Sequence, residues 1–172
     1  MSDYRLTTSF PYLARRVGVR IGELFERRIA RHGVTVSMYR VLAVLTENDS
    51  LRLGELAGLV SIELSTLSRL IGAMTRKGLV SRVRPRGNAR VVEISLTARG
   101  RALAAKLMPL AARCEAVAVA GLSPADVARL KSYLEAAYHN LDALEAELTA
   151  DNSVDNGARG SKAGRETARS PA

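Results

Sequence analysis

Ser65 and Arg69 stand one helical turn apart, and with Gly72 and Arg76 they fall on one side of a helix read from Glu63 to Lys77, opposite Leu67, Leu70, Ile71 and Met74. Thr66 and Ser68 widen that polar side. Short hydroxyl donors beside a guanidinium are suited to reading a base edge, because the planar fork of arginine bonds guanine O6 and N7 together. Gly72 on the same face would let the helix approach a duplex closely. Downstream, Arg84, Arg86, Asn88 and Arg90 crowd the turn Pro85-Arg86-Gly87-Asn88, where cations would meet phosphates. Residues 61–101 hold nine Lys and Arg against Glu63 and Glu93, a net +7 out of the chain's +9. The charge is therefore a local footprint of the kind a phosphate-lined DNA duplex selects.

Several elements must position these groups. Phe10, Leu13, Val17, Ile21, Leu24 and Phe25 lay one apolar stripe along a first helix, with Pro11 in its opening turn. His32-Gly33 ends it, and Thr35 caps a second helix that buries Met38, Val41, Leu42 and Leu45. Leu53, Leu56, Ala57 and Val60 make a third, short helix. After a turn at Ser61-Ile62 comes the helix described above, closed by Gly78. Leu79 to Arg84 and Arg90 to Leu96 read as two strands, with Val92, Ile94 and Leu96 alternating against Val91, Glu93 and Ser95. Thr97 caps a long helix carrying Leu103, Leu107, Leu110, Cys114 and Val117, which Pro109 should kink. Gly121 stops it, and Ser123-Pro124 with Asp126 restarts a last helix. There Val127, Leu130, Leu134, Ala137, Leu141, Leu144 and Leu148 keep a three-four alternation, the repeat of a seam between helices, which asks for a partner. From Thr149 the chain has almost nothing to bury, and disorder is expected. Short helix, turn, second helix and hairpin together spell a winged helix-turn-helix, mainly α with a small β-hairpin.

Composition narrows the classes. With 172 residues, 47% of them hydrophobic, the chain can bury one substantial core. Aromatic residues make up only 4%, with no Trp, which disfavours single-strand binding by base stacking. One cysteine excludes an internal disulfide and any multi-cysteine zinc site. The polar N-terminus and the lack of an apolar run near the ~18 residues that span a bilayer lead to an expectation of a soluble, cytoplasmic protein without membrane association. There is no nucleophile–base motif and no phosphate-cradling glycine loop, so no catalytic residue, metal or cofactor is expected and the chain reads as a non-enzyme. His32 and His139 are far apart and share no ligand spacing.

Gly54-Glu55-Leu56-Ala57, Ser65-Thr66-Leu67-Ser68-Arg69-Leu70, Lys77-Gly78-Leu79-Val80-Ser81-Arg82 and Ile94-Ser95-Leu96-Thr97-Ala98-Arg99-Gly100 resemble the MarR family of bacterial transcriptional regulators, over about residues 10 to 148. The resemblance implies a single domain over 1–148. Its winged helix-turn-helix spans about 35–97, dimerisation helices span about 10–31 and 98–148, and a disordered tail covers 149–172. It further implies a ligand-responsive repressor that binds double-stranded DNA as a homodimer on a pseudo-palindromic operator. The family's wing carries Asp-x-Arg, the Arg entering the minor groove; here Asn88-Ala89-Arg90 keeps the arginine but replaces its charged support with a neutral amide.

Leu13-Ala14-Arg15-Arg16 resembles a segment of aromatic-acid-responsive members, in which an arginine of the first helix meets the ligand carboxylate. Arg15 and Arg16, with His32 and Tyr39 as weaker candidates, are thus the expected contacts for a small aromatic acid effector. Members that sense peroxide do so through a cysteine near the N-terminus, where this chain has none; Cys114, on an apolar stripe, reads as a small hydrophobe. The competing reading is a sequence-independent architectural DNA-binding protein. The tail from Ala150 opposes it, holding four basic and three acidic residues and hence no basic arm.

Overall fold

The computed structural model describes residues 4–83 and 92–163, with side chains described as far as 148. The chain divides into two units, Met1–Ala120 and Gly121–Ala172. In the first, a 3₁₀ turn at Leu6–Thr8 leads into α1, Phe10–Ile29, with Pro11 in its first turn. Another 3₁₀ turn, Ala30–His32, follows, and Gly33 at φ 67° reverses the chain. Only the C-terminal end of α1 is buried, at Phe25 and Ile29. Phe10, Leu13, Val17 and Leu24 of the expected stripe stay exposed in the isolated chain. The Thr35 hydroxyl accepts from the Met38 amide at 3.2 Å and starts α2, Val36–Glu47, which buries the four residues its periodicity named.

A strand the sequence analysis did not anticipate, β1 at Leu51–Arg52, precedes α3, Leu53–Val60. It is two residues long, too short for any alternation to show. β2, Val80–Val83, and β3, Glu93–Leu96, form the hairpin, and β1 adds antiparallel to β3, giving the order β1-β3-β2. Both hairpin strands are shorter than expected among the described residues, and Val92 is exposed rather than buried with Ile94 and Leu96. The core gathers α1, α2, α3, α4 (Leu64–Arg76) and the sheet against the first half of α5, Ala98–Ala118. α5 is one helix through Pro109.

Helix α4 is fixed at both ends. At its start Glu63 accepts from the amides of Ser65 (2.9 Å) and Thr66 (3.0 Å) and from the Ser65 hydroxyl. Those bonds, the Ser65 side chain's first, hold the exposed carboxyl down at about 2. At its end, Gly78 takes φ 68°, the Leu79 amide reaches back to the Met74 carbonyl (3.0 Å) and the Gly78 amide to that of Thr75 (2.9 Å). The same turn is held by α5: the Thr97 hydroxyl caps Gly100 (3.0 Å) and donates to the Gly78 carbonyl (2.7 Å), and the Thr97 amide donates to Leu79 (3.1 Å). Gly100 is buried there, and a Cβ on it would lie 2.0 Å from the Leu79 carbonyl oxygen.

The second unit is built on α6, Pro124–Ala163, opened by reciprocal hydrogen bonds between Ser123 and Asp126. The division between the units falls at Gly121, φ 91°, and the helical backbone continues to Ala163. The heptad leucines are exposed, Leu134 at 43% and Leu141 at 58%. No proline interrupts 149–163, so a helix already started extends at one hydrogen bond per residue.

Two outcomes follow from these contacts. Gly100→Ala should destabilise the protein by roughly 1–3 kcal/mol, since a backbone carbonyl cannot rotate away as a side chain does; an unchanged denaturant midpoint would exclude the close approach. Glu63 has a lowered carboxyl pKa in the folded state, so its stabilising effect is full above its ordinary value of 4.5 and is lost as pH falls toward 2. Thermal melts of wild type and Glu63→Gln over that window should show a shallower acid loss in the variant, and parallel curves would remove the cap from the account.

Candidate nucleic-acid interface

Helices α3 and α4 turn through 104° relative to each other. Ser61 makes this turn at φ 53°, its amide bonded to the Gly58 carbonyl (3.1 Å) and that of Ile62 to Ala57 (3.1 Å). Leu56 and Val60 of α3 and Leu67, Ile71 and Met74 of α4 are buried, which pins one side of α4 to the core. Its other side is thereby turned outward: Ser65, Thr66, Ser68, Arg69 and Arg76 are all exposed. Neither Arg69 nor Arg76 has a carboxylate within ion-pair distance among the described residues. Gly72 lies between them, and an added Cβ would touch only the Arg76 guanidinium, at 3.7 Å. Among the described residues nothing requires glycine there.

The Ser65 hydroxyl, read from sequence as a donor toward the duplex, donates instead to the Glu63 carboxylate. Its oxygen keeps acceptor capacity; the Thr66 side chain also bonds Glu63, so the outward donors of α4 reduce to Ser68 and the two arginines. Glu63 was invisible to the periodicity argument, which treated it as a residue of the helix. An acid three positions before Thr66, just ahead of an apolar stripe, is the signal that marks it as the cap.

On the sheet, Ile94 and Leu96 of β3 turn into the core with Val80 of β2, and Arg82 is left exposed on the hairpin. Arg52 of β1 is also exposed, paired with Glu93 on the far side of β3 from β2. Spacing along the chain singled out neither cation. Arg84, Arg86, Asn88 and Arg90 lie outside the described residues.

The four residues expected to meet an effector do not come together. Arg15 and Arg16 are exposed on α1 along an open groove of about 680 Å³, and the Arg16 guanidinium lies 5.7 Å from the Tyr12 ring centre. Tyr39 on α2 packs edge-on against Phe25, ring centres 4.6 Å apart, and burial, then the charges of Glu47 and Glu115, push its hydroxyl pKa up. His32 faces a separate cleft beside Lys77 and α5. Cys114 is half-buried against the core, as its stripe implied. Among the described residues, no three His, Cys, Asp or Glu side chains gather as a metal site needs, and no single helix is long and apolar enough to cross a membrane.

The sequence profile described as "MarR family" matches residues 34–92, the stretch from just after the second 3₁₀ turn to the residue before β3. A repressor of Pseudomonas putida, the HTH-type transcriptional repressor IacR, is 28% identical over 83% of this chain and 86% of its own. A MarR family transcriptional regulator of Silicibacter pomeroyi DSS-3 superposes with a TM-score of 0.69 at 33% identity, covering 81% of this chain and 99% of that one. Bordetella bronchiseptica BpsR, whose DNA binding is regulated by 6-hydroxynicotinic acid, superposes at 0.71 over 80% of this chain and 98% of its own; at 23% identity that likeness is one of fold. With an outward basic α4, a three-stranded wing sheet and these relatives, the chain belongs to the MarR family of winged helix-turn-helix transcriptional regulators.

Proposed function

We propose that this protein is a cytoplasmic repressor that binds a pseudo-palindromic operator as a homodimer and is released by a small aromatic acid. The observation that carries the reading is the exposed face of α4, whose Leu64–Arg76 span contains no acid and turns Arg69 and Arg76 outward, next to β2 with its exposed Arg82. In this reading α4 enters the major groove with Thr66, Ser68 and Arg69 toward base edges, and Arg76 and Ser65 flank it. The hairpin, through Arg84, Arg86 and Arg90 with Asn88 as support, follows the backbone or the minor groove.

Dimerisation is supported by apolar surface that one chain leaves in water. Leu13 and Val17 of α1 and Leu130, Leu134, Leu141 and Leu144 of α6 are all more than 40% exposed, and clustered exposed apolar side chains mark interaction surfaces. A symmetric dimer would bury such seams against their own copies. Effector control is supported by BpsR and its aromatic acid, with Arg15 or Arg16 as the guanidinium that pairs with a carboxylate. The deciding experiment is a footprint on DNA surrounding the protein's own gene, repeated with a panel of aromatic acids. Two protected half-sites about one helical turn apart support the reading; uniform coverage would favour an architectural protein.

Arg69→Ala should cost about 1–3 kcal/mol on the operator and relax base preference. Arg90→Ala should instead weaken operator and random DNA more nearly alike and flatten the salt dependence. Isotherms at two salt concentrations separate these, and equal losses in both variants would remove the division of labour. Leu134→Asp with Leu141→Asp should give monomers in sedimentation; a wild type already monomeric would end the dimer reading.

A further inference from the structure

The cleft beside His32 is a strongly basic concavity that the DNA-binding reading leaves unused. It encloses about 280 Å³ between three elements: the turn ending at His32-Gly33, the α4–β2 turn, and the first turns of α5. Four basic side chains line it, namely His32, Lys77, Arg99 and Lys106, and no carboxylate does. Lys77, Arg99 and Lys106 have no acid within ion-pair distance among the described residues. Three like charges thus converge on one concavity, an arrangement that costs free energy until an anion enters.

The donors are also arranged for one. The Lys77 ammonium spends one proton on the Gly33 carbonyl, at 3.2 Å, and keeps two. The Arg31 Nε–H donates to His32 Nε2 at 3.3 Å, which holds the imidazole at the cleft's edge. Arg99 stands in the first turn of α5, where the helix dipole adds positive potential. Val34 and Leu79 are buried behind the cleft and Leu103 is half-buried, which keeps water from one side and strengthens each charge.

We infer that this cleft binds a compact polyanion of the phosphate class, a phosphate monoester or a diphosphate. A single carboxylate would leave two of the three fixed charges uncompensated; a diphosphate answers all three. Counting a bare phosphate as four oxygens at roughly 30 Å³ each, the cleft has room for about two such groups, which favours a diphosphate or a larger phosphorylated molecule over one free phosphate. Because its ligands come from three elements, a bound anion would tie the end of α1 to the end of α4 and the start of α5. That tie should register as thermal stability. The inference does not depend on α4 reading DNA.

The test is thermal unfolding of the full-length protein without DNA, at ionic strength held constant with sodium chloride, against inorganic phosphate, pyrophosphate and benzoate. The melting temperature should rise saturably with pyrophosphate, less with phosphate and least with benzoate. Arg99→Gln with Lys106→Gln should weaken the pyrophosphate response by on the order of tenfold or more. Both positions are exposed and glutamine is a good helix former, so the variant should fold, and without anion it should melt at least as high as wild type because repulsion is relieved. Arg113→Gln, on the same helix outside the cleft, should respond as wild type does. No saturable rise in wild type, or an equal rise in the double variant, overturns the site. A rise for free phosphate as large as for pyrophosphate overturns the assignment to a larger phosphorylated ligand.

Discussion

One pair of backbone carbonyls, those of Gly78 and Leu79, fixes where the basic face of α4 points. They accept the Thr97 hydroxyl and amide, and the missing Cβ of Gly100 lets α5 come against the second of them. Four element ends therefore meet within a single turn of chain: the end of α4, the start of β2, the end of β3 and the start of α5. A wider spacing there would let α4 roll on Leu67, Ile71 and Met74, and its arginines would sweep over the surface with it. The close approach is short-ranged and steric, so it holds the helix more tightly than hydrophobic contact, which tolerates sliding, would do alone.

The other end of α4 imposes a chemical constraint. A helix N-terminus ordinarily offers free amides to a phosphate. Here Glu63 takes the Ser65 and Thr66 amides and the Ser65 hydroxyl, and brings a negative charge of its own. A DNA phosphate is thereby turned away from that end. The groups still free to make favourable contacts are the side chains further along, Ser68, Arg69 and Arg76, which suits insertion along a groove better than seating on the backbone. The same carboxylate that stabilises the helix thus biases what the helix can bind.

How much of this was legible in sequence depends on the range of the cause. Thr35, Thr97 and Ser123 were readable as caps because a cap acts on amides two or three residues away, and the structure shows each one bonded as expected. The stripes of α2 and α4 were equally readable. β1 was not, because Leu51–Arg52 is a strand only by virtue of Ile94 and Glu93 across from it. Nor was the separation of Arg15, Arg16, His32 and Tyr39, since spacing along a chain says nothing about which cleft a turn faces. Val92 fits the alternation yet lies at 38% exposure, just before β3 begins.

Helix α1 shows why a stripe can be read correctly and still mislead. Its six apolar residues obey one period, but burial divides them: Phe25 is in the core, Ile21 half-buried, and Phe10, Leu13, Val17 and Leu24 exposed. A uniform stripe encodes that a helix will be covered, without saying by what. The lower end is covered by the chain itself, where Phe25 meets Tyr39 of α2, and the upper end awaits something else. The turn that follows the covered end is itself tied to the end of α4, through the Lys77 ammonium donating to the Gly33 carbonyl, so the half of α1 that the chain covers is also the half joined to the neighbouring helix.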